Sequence, residues 1–409
     1  MRYQVTPPTL DNPWLTRLPI LVGAHTVGTA SIVSVLAMAP VISRELALSA
    51  TQFGLFVSAY YSAQAIGSLP AGAMADRFGV GRSLVMGHIL MALAAMMLGI
   101  ADGYEQCLVA LFLMGLGYSM NNPSTARGVF DWFPRQQRGK AMGIKQVGVP
   151  AGGLIAAGSG ILVTQVHWQT IMQGIAGLIM LNGVLCLYLI RFHQHVAAEQ
   201  RNNPLQHIRA VMRDPNVNIF SFANGLLNIG QTNFFAFIAL FLTEVARASQ
   251  PVAGFAIGLA QTASFIARIG WGILSDRFPG RRVVLNNWIC GVAVIFLGAM
   301  AWVNPGWGIW YAMLLVLILG ITIASFAPVS QAIAVEMVEP RLAASSVGYS
   351  MVGVQIGGMT GPLIFGWVVD HWGGYSNAWL VTAGLVAAGV LMLSLWFREG
   401  QKKPGPGQN

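Results

Sequence analysis

Three basic residues stand where a basic residue is hardest to keep. Arg127, Lys145 and Arg268 fall inside, or near the ends of, long apolar stretches of a 409-residue chain that is 55% hydrophobic and only 9% charged. Arg268 lies eight residues before Asp276, roughly 12 Å along a helix that rises about 1.5 Å per residue, and so well inside its stretch. A guanidinium presents a planar fork that grips a carboxylate through two parallel hydrogen bonds. A cation held in apolar surroundings is costly unless something offsets it, so the chemistry on offer is reversible capture of an anion. A plainer reading stays open for each. Arg268 can be a scaffold group bound to backbone carbonyls at a helix break, Arg127 can pair with Asp131 four residues on, and Lys145 can reach back to the nearest polar surface.

Polar residues accompany these charges. Tyr118, Asn121 and Asn122 precede Pro123 and Arg127, and Trp132-Phe133-Pro134 follows. Ser221, Asn224, Asn228 and Gln231 recur at spacings of three and four, which puts one polar stripe on an apolar helix. That stripe faces a cavity or serves as hydrogen-bonding glue between helices. His25 and His88 also lie in apolar stretches. An imidazole titrates near neutral pH, so His25 is either a proton-coupling group or a hydrogen-bonded core residue. The candidate anion-binding set is therefore Arg268 as clamp, Arg127 and Lys145 as further positive groups, and Tyr118, Asn121, Asn228 and Gln231 as hydrogen-bonding selectors, with His25 as the candidate proton-coupling group. No carboxylate falls in the middle of an apolar stretch, which disfavours a cationic ligand.

The elements that must carry these residues follow from composition. Soluble proteins are roughly a quarter charged, and a bilayer-crossing helix needs about 20 mainly apolar residues. Such stretches recur near 17–42, 51–75, 83–101, 106–132, 140–165, 168–191, 216–243, 251–275, 283–303, 307–336, 343–369 and 375–397. They read as twelve helices, because lipid offers nothing to hydrogen-bond a free backbone and the ten-residue alternation of a barrel is absent. The first is too long for a signal peptide's apolar core and reads as a retained helix. Cys107, Cys186 and Cys290 are far apart with no metal-ligand spacing. Of the 23 Lys and Arg, only Arg44 and Arg247 fall in loops assigned to the outer side. That asymmetry places both termini in the cytoplasm, and anionic headgroups account for the net charge of +9 without nucleic acid.

The chain also repeats itself. Gly72, Asp76, Arg77, Phe78 and Arg82 recur at Gly272, Asp276, Arg277, Phe278 and Arg282, and Gly115, Pro123, Asp131, Gly143 and Gly148 at Gly320, Pro328, Glu336, Gly348 and Gly353. The expected organisation is a six-helix half over 1–192, a polar linker over 193–215 and a second six-helix half over 216–409. Charges present in both halves should serve the shared scaffold. Asp76, Arg77, Arg82, Asp131, Asp276, Arg277, Arg282 and Glu336 are accordingly expected to form an ion-pair latch in each half that breaks when the cytoplasmic side opens; the alternative is solvated loop charges. Arg268, Arg127 and Lys145 align instead with Ser68, Ala332 and Ser350.

Gly72-Ala-Met-Ala-Asp76-Arg77-Phe-Gly79-Val-Gly-Arg82 and its counterpart from Gly272 to Arg282 resemble the cytoplasmic loop signature of the major facilitator superfamily. The resemblance implies two pseudo-symmetric six-helix halves around a central cavity that opens alternately to either side. Phe265-Ile-Ala-Arg268-Ile-Gly270 is similar to the eighth-helix segment of monocarboxylate transporters, whose arginine binds the substrate carboxylate. Nitrate carriers have that arginine too, but pair it with a second one where this chain has Ser68. The polar run before Trp132-Phe133-Pro134 resembles the organic-anion branches. Val147-Gly-Val-Pro150 partly resembles the helix-five motif of antiporters. The expectation is a monomeric secondary transporter in a bacterial inner membrane that moves a small organic anion with protons and needs no cofactor. Export of drug-like molecules is the alternative, and a receptor without transport a third reading. The chain carries no phosphate-binding loop, HExxH or nucleophile elbow that would suggest an enzyme.

Overall fold

The computed structural model describes residues 12–134, 136–192, 211–277, 281–339 and 342–398, which form helices joined by short turns, with no strand among them. The first part carries α1 (Pro13–Thr16), α2 (Leu18–Ala37), α3 (Ala39–Glu45), α4 (Ala50–Leu98), α5 (Tyr104–Tyr118), α6 (Asn121–Trp132), α7 (Arg138–Gln146), α8 (Gly148–Leu162) and α9 (Trp168–Tyr188). The second carries α10 (Pro215–Glu244), α11 (Gln250–Arg277), α12 (Arg282–Ala299), α13 (Gly308–Ile321), α14 (Ala327–Glu336), α15 (Ala343–His371) and α16 (Gly374–Leu395).

Twelve passes are built from these pieces. Eight stretches among the described residues are long and apolar enough to cross a bilayer by themselves. Other passes are broken helices set end to end, and a proline explains each break. Pro40, Pro123, Pro150 and Pro328 stand just after the interruptions at α2/α3, α5/α6, α7/α8 and α13/α14. A proline has no amide to donate, and its ring crowds the carbonyl four residues back. At membrane depth such a break survives only where the protein re-satisfies the freed groups. Passes two and three, expected as 51–75 and 83–101, run on as α4, because only Gly79 departs from helical geometry, at φ 81°. That left-handed angle suits a residue without a side chain and lets the chain turn back.

Helix starts follow their caps. Ser49 accepts from the Gln52 amide while the Gln52 side chain accepts from the Ser49 amide, a reciprocal capping box at the head of α4. Asp214 caps α10, and Pro215 opens it one residue before the expected boundary. Most of the expected linker, residues 193–210, lies outside the described residues.

In the first half α2 packs on α8, and α4 on α5 and α9; in the second α10 packs on α15 and α16. The halves meet along two seams, α4 with α15 and α8 with α11. At the first, Gly54 and Gly366 stand so close to Pro362 and Ala50 of the facing helix that a Cβ would strike backbone.

Candidate functional site

In the second half the site is organised by the break in pass ten. Pro328 cannot donate to Ala324, four residues earlier, so the Ala324 carbonyl is left over. Three side chains take it up: Arg268 Nη2 donates at 3.0 Å, Gln231 Nε2 at 2.9 Å and Ser264 Oγ at 2.8 Å. Arg268 Nε also donates to Ser264 Oγ at 3.2 Å. The arginine is thus anchored at a helix break, as its plainer reading holds. Its Nη1 makes no hydrogen bond among the described residues, so one edge of the guanidinium still has donors to offer. Tyr118 of the first half lies within electrostatic range of Arg268 across the seam.

The polar stripe on pass seven is spent mainly on neighbouring helices. Asn228 Nδ2 donates to Val354 O at 2.8 Å and to Thr232 Oγ1 at 3.2 Å, Asn224 accepts from Ser330 Oγ at 2.8 Å, and Ser221 Oγ donates to Tyr349 O at 3.2 Å. This geometry is that of interhelical glue. Of the expected selectors, Gln231 sits beside Arg268 while Asn228 lies on the face turned to pass eleven.

In the first half a buried chain links passes one, four and five. Lys145 is 1% exposed, and its ammonium donates to Thr125 Oγ1 at 3.0 Å, which His25 Nε2 also meets at 3.0 Å. The Thr125 hydroxyl donates to the Asn121 carbonyl four residues back at 2.6 Å, so it accepts from both Lys145 and His25. That assigns the proton to His25 Nε2 and leaves Nδ1 as a buried acceptor without a partner. Asn121 Nδ2 donates to Ala24 O at 2.8 Å, and the Tyr118 ring lies against Gly28 of pass one. Lys145 does not reach back to the surface. It is a buried cation with one hydroxyl partner, and no acid is within ion-pair distance among the described residues. His88 is separate, bonded to Leu84 O at 2.7 Å within its own helix.

Arg127 is drawn into the scaffold. It pairs with Asp131 at 2.9 Å and with Asp76 at 2.5 Å, while Arg282 pairs with Asp276 at 3.1 Å and Glu336 at 3.2 Å. One correction follows: the expected arginines Arg77, Arg82 and Arg277 form no ion pair among the described residues, and Arg77 lies over the Phe78 ring instead. Each pairing joins helices of one half, so separating the halves does not by itself break it.

Closure is supplied at the opposite end of the bundle. Asp370 accepts from the Ala50 and Thr51 amides at 3.0 and 2.8 Å, Ser58 Oγ donates to Met359 O at 2.6 Å, and Gln250 Nε2 donates to Ala37 O and Gly160 O at 2.9 and 3.0 Å. At the ion-paired end, a Cβ added at Gly72, Gly143, Gly272 or Gly348 would meet nothing within 4 Å. These hydrogen bonds join the halves at one end, while at the other the glycines have free space beside them and the ion pairs stay intact within each half.

Two related bundles whose helices break at mid-depth form an architecture that recurs among secondary transporters. The family model for the Major Facilitator Superfamily matches residues 20–317 and 220–408. The chain belongs to the Major Facilitator Superfamily. Its relatives include a hexuronate transporter of Bacillus subtilis, 25% identical over 389 residues and 90% of both chains, and a probable sulfoacetate transporter of Cupriavidus necator, 23% identical over 88% of both. A multidrug resistance protein of Enterobacter lignolyticus is 24% identical over 87% of this chain and 85% of its own. Among solved structures the nucleoside transporter NupG, in a mutant form, superposes with a TM-score of 0.74 at 15% identity over 93% of this chain and 98% of that one, which speaks for the fold. This superfamily member is a transmembrane transporter and not an enzyme.

Sequence reasoning missed Thr125, Ser264, Gln250 and Asp370. Pro328 was the available signal for Ser264, since it frees the Ala324 carbonyl that nearby polar side chains must serve. Among the described residues no three His, Cys, Asp or Glu come together to hold a metal ion.

Proposed function

We propose that this transporter moves a small organic anion, most simply a carboxylate, by alternating access coupled to protons. One observation carries the reading: each half holds a cation in its interior with donors to spare, Arg268 and Lys145, while no Asp or Glu is buried among the described residues. Such a core is positive and asks for an anion. The acids named for the hexuronate and sulfoacetate relatives fit that chemistry. Arg268 serves as the carboxylate clamp through its free edge, Tyr118 faces it from the other half, and Gln231 helps hold the clamp in place. Placing the basic end in the cytoplasm of a bacterial inner membrane makes this an inward-facing state, with 1–192 and 216–409 rocking as units and one chain sufficient for transport.

A second reading is export of drug-like molecules. It is favoured by the multidrug resistance relative and by the donors of Asn228 and Gln231 being spent on backbone. The deciding experiment reconstitutes the protein in liposomes and follows a panel of radiolabelled carboxylates under an inward proton gradient, wild type against Arg268→Ala. Gradient-driven uptake lost on substitution is the expected result. Indifference to Arg268, or failure of every carboxylate, supports export instead.

A further inference from the structure

Between passes nine and twelve a fissure of about 590 Å³ opens on the outer surface of the bundle, away from the seam between the halves. Trp288, Gly291 and Ile295 of α12 form one wall, Val390 and Phe397 of α16 the other. Trp288 is 71% exposed and Ile295 68%, an apolar lining that faces hydrocarbon in a membrane transporter.

Length, charge and polarity along this groove point to one occupant. Its lining runs from residue 283 to residue 295 of α12, about 18 Å at 1.5 Å per residue, or slightly more than half of a hydrocarbon core about 30 Å thick. That is the reach of one leaflet. The groove starts at the ion-paired end, where two exposed arginines flank it: Arg281 immediately precedes α12, and Arg398 immediately follows the lining residue Phe397. Arg282 between them is committed to Asp276 and Glu336, whereas Arg281 and Arg398 form no ion pair among the described residues. Six residues below Arg281, Asn287 Nδ2 donates to Ser394 Oγ across the groove at 2.9 Å. This polar pair, about 9 Å down the helix, sits at the depth where a glycerol ester lies beneath its phosphate.

We propose that this groove is a binding site for an anionic diacyl phospholipid. One acyl chain fills the fissure between Trp288 and Phe397, the ester region lies by the Asn287–Ser394 pair, and the anionic headgroup sits between Arg281 and Arg398. Basic residues at a membrane surface select anionic over zwitterionic headgroups. The proposal stands apart from the cargo reading, since the groove touches neither Arg268 nor Lys145.

The test is quenching of tryptophan emission in the full-length protein by brominated lipids. Wild type and Trp288→Phe are compared, so that the difference isolates Trp288. Brominated phosphatidylglycerol is expected to quench that component at a mole fraction at least threefold lower than brominated phosphatidylcholine. Gly291→Leu should remove the preference for phosphatidylglycerol and leave the quenching that surrounding lipid gives an exposed Trp288, because a Cβ at Gly291 meets nothing within 4 Å and the larger side chain fills the groove. The double variant Arg281→Gln, Arg398→Gln should keep the quenching and lose the headgroup preference, and it decides the matter if Gly291→Leu does not fold. Equal quenching by the two lipids in wild type, or unchanged preference in the double arginine variant, overturns the proposal.

Discussion

At the scale of single residues, Lys145 and Arg268 hold their charges in different ways. Arg268 is tied down by Ser264 and Ala324 on one edge and open on the other. Arg268→Lys keeps a charge but loses the fork. With hydrogen bonds to charged groups each contributing about 1.5–3 kcal/mol, substrate affinity is expected to fall about tenfold or more, read as competition against labelled substrate. Lys145 has a single hydroxyl partner and is sealed from water. Replacing a buried, poorly compensated charge by an apolar group of similar size is often neutral or stabilising by about 1–4 kcal/mol. Lys145→Met should therefore raise or leave unchanged the melting temperature while reducing uptake. A lower melting temperature with normal uptake would make Lys145 a structural residue.

At the scale of elements, the proline breaks convert backbone into binding chemistry. The carbonyl freed by Pro328 gathers Arg268, Gln231 and Ser264 onto one atom. Pro328→Ala restores an amide four residues from Ala324, so the carbonyl is drawn back into its own helix and the three side chains lose their shared acceptor. The expected outcome is a folded protein with impaired uptake, checked by size-exclusion profile and transport at matched expression. Unimpaired uptake would mean that the break does not position the arginine. How legible each element was follows the same logic. Spans could be read from hydropathy, but the breaks in passes one, four, five and ten could not, since a membrane helix tolerates a proline wherever its neighbours serve the freed groups. The use of the Asn228 stripe as glue could not, since a polar face at helical spacing looks the same whether it meets a cavity or another helix.

At the scale of the whole molecule, the closed end is held by helix termini. Asp370 caps the head of α4, while Gln250 serves carbonyls at the ends of passes one and five. Asparagine keeps only one acceptor oxygen for the two amides, and a hydrogen bond contributes about 1 kcal/mol, so Asp370→Asn should shift the balance between the two open states about fivefold toward the one with this end open. A cysteine placed at Ser58, buried at the seam, reports the shift. It should react slowly with a membrane-impermeant maleimide in an otherwise unchanged protein and several-fold faster when Asp370→Asn is added. Cys107, Cys186 and Cys290 are buried and leave the background low. Equal rates would show that the cap does not hold the seam.

The sequence by itself determined that this is a helical membrane protein made of two related halves and that its core is positive. Those properties are local: hydropathy over about 20 residues, charges within apolar stretches, a motif repeated 200 residues on. Only the tertiary structure decided which charges are spent. Arg127 finds Asp76 across 51 positions of chain, Arg268 finds Ala324 across 56, and Thr125 gathers Lys145 and His25 from two other helices. Hydrogen-bond capacity is written in each residue, but its partner depends on how helices cross and which side chains meet at the crossing. That geometry is set by packing along the whole length of the bundle.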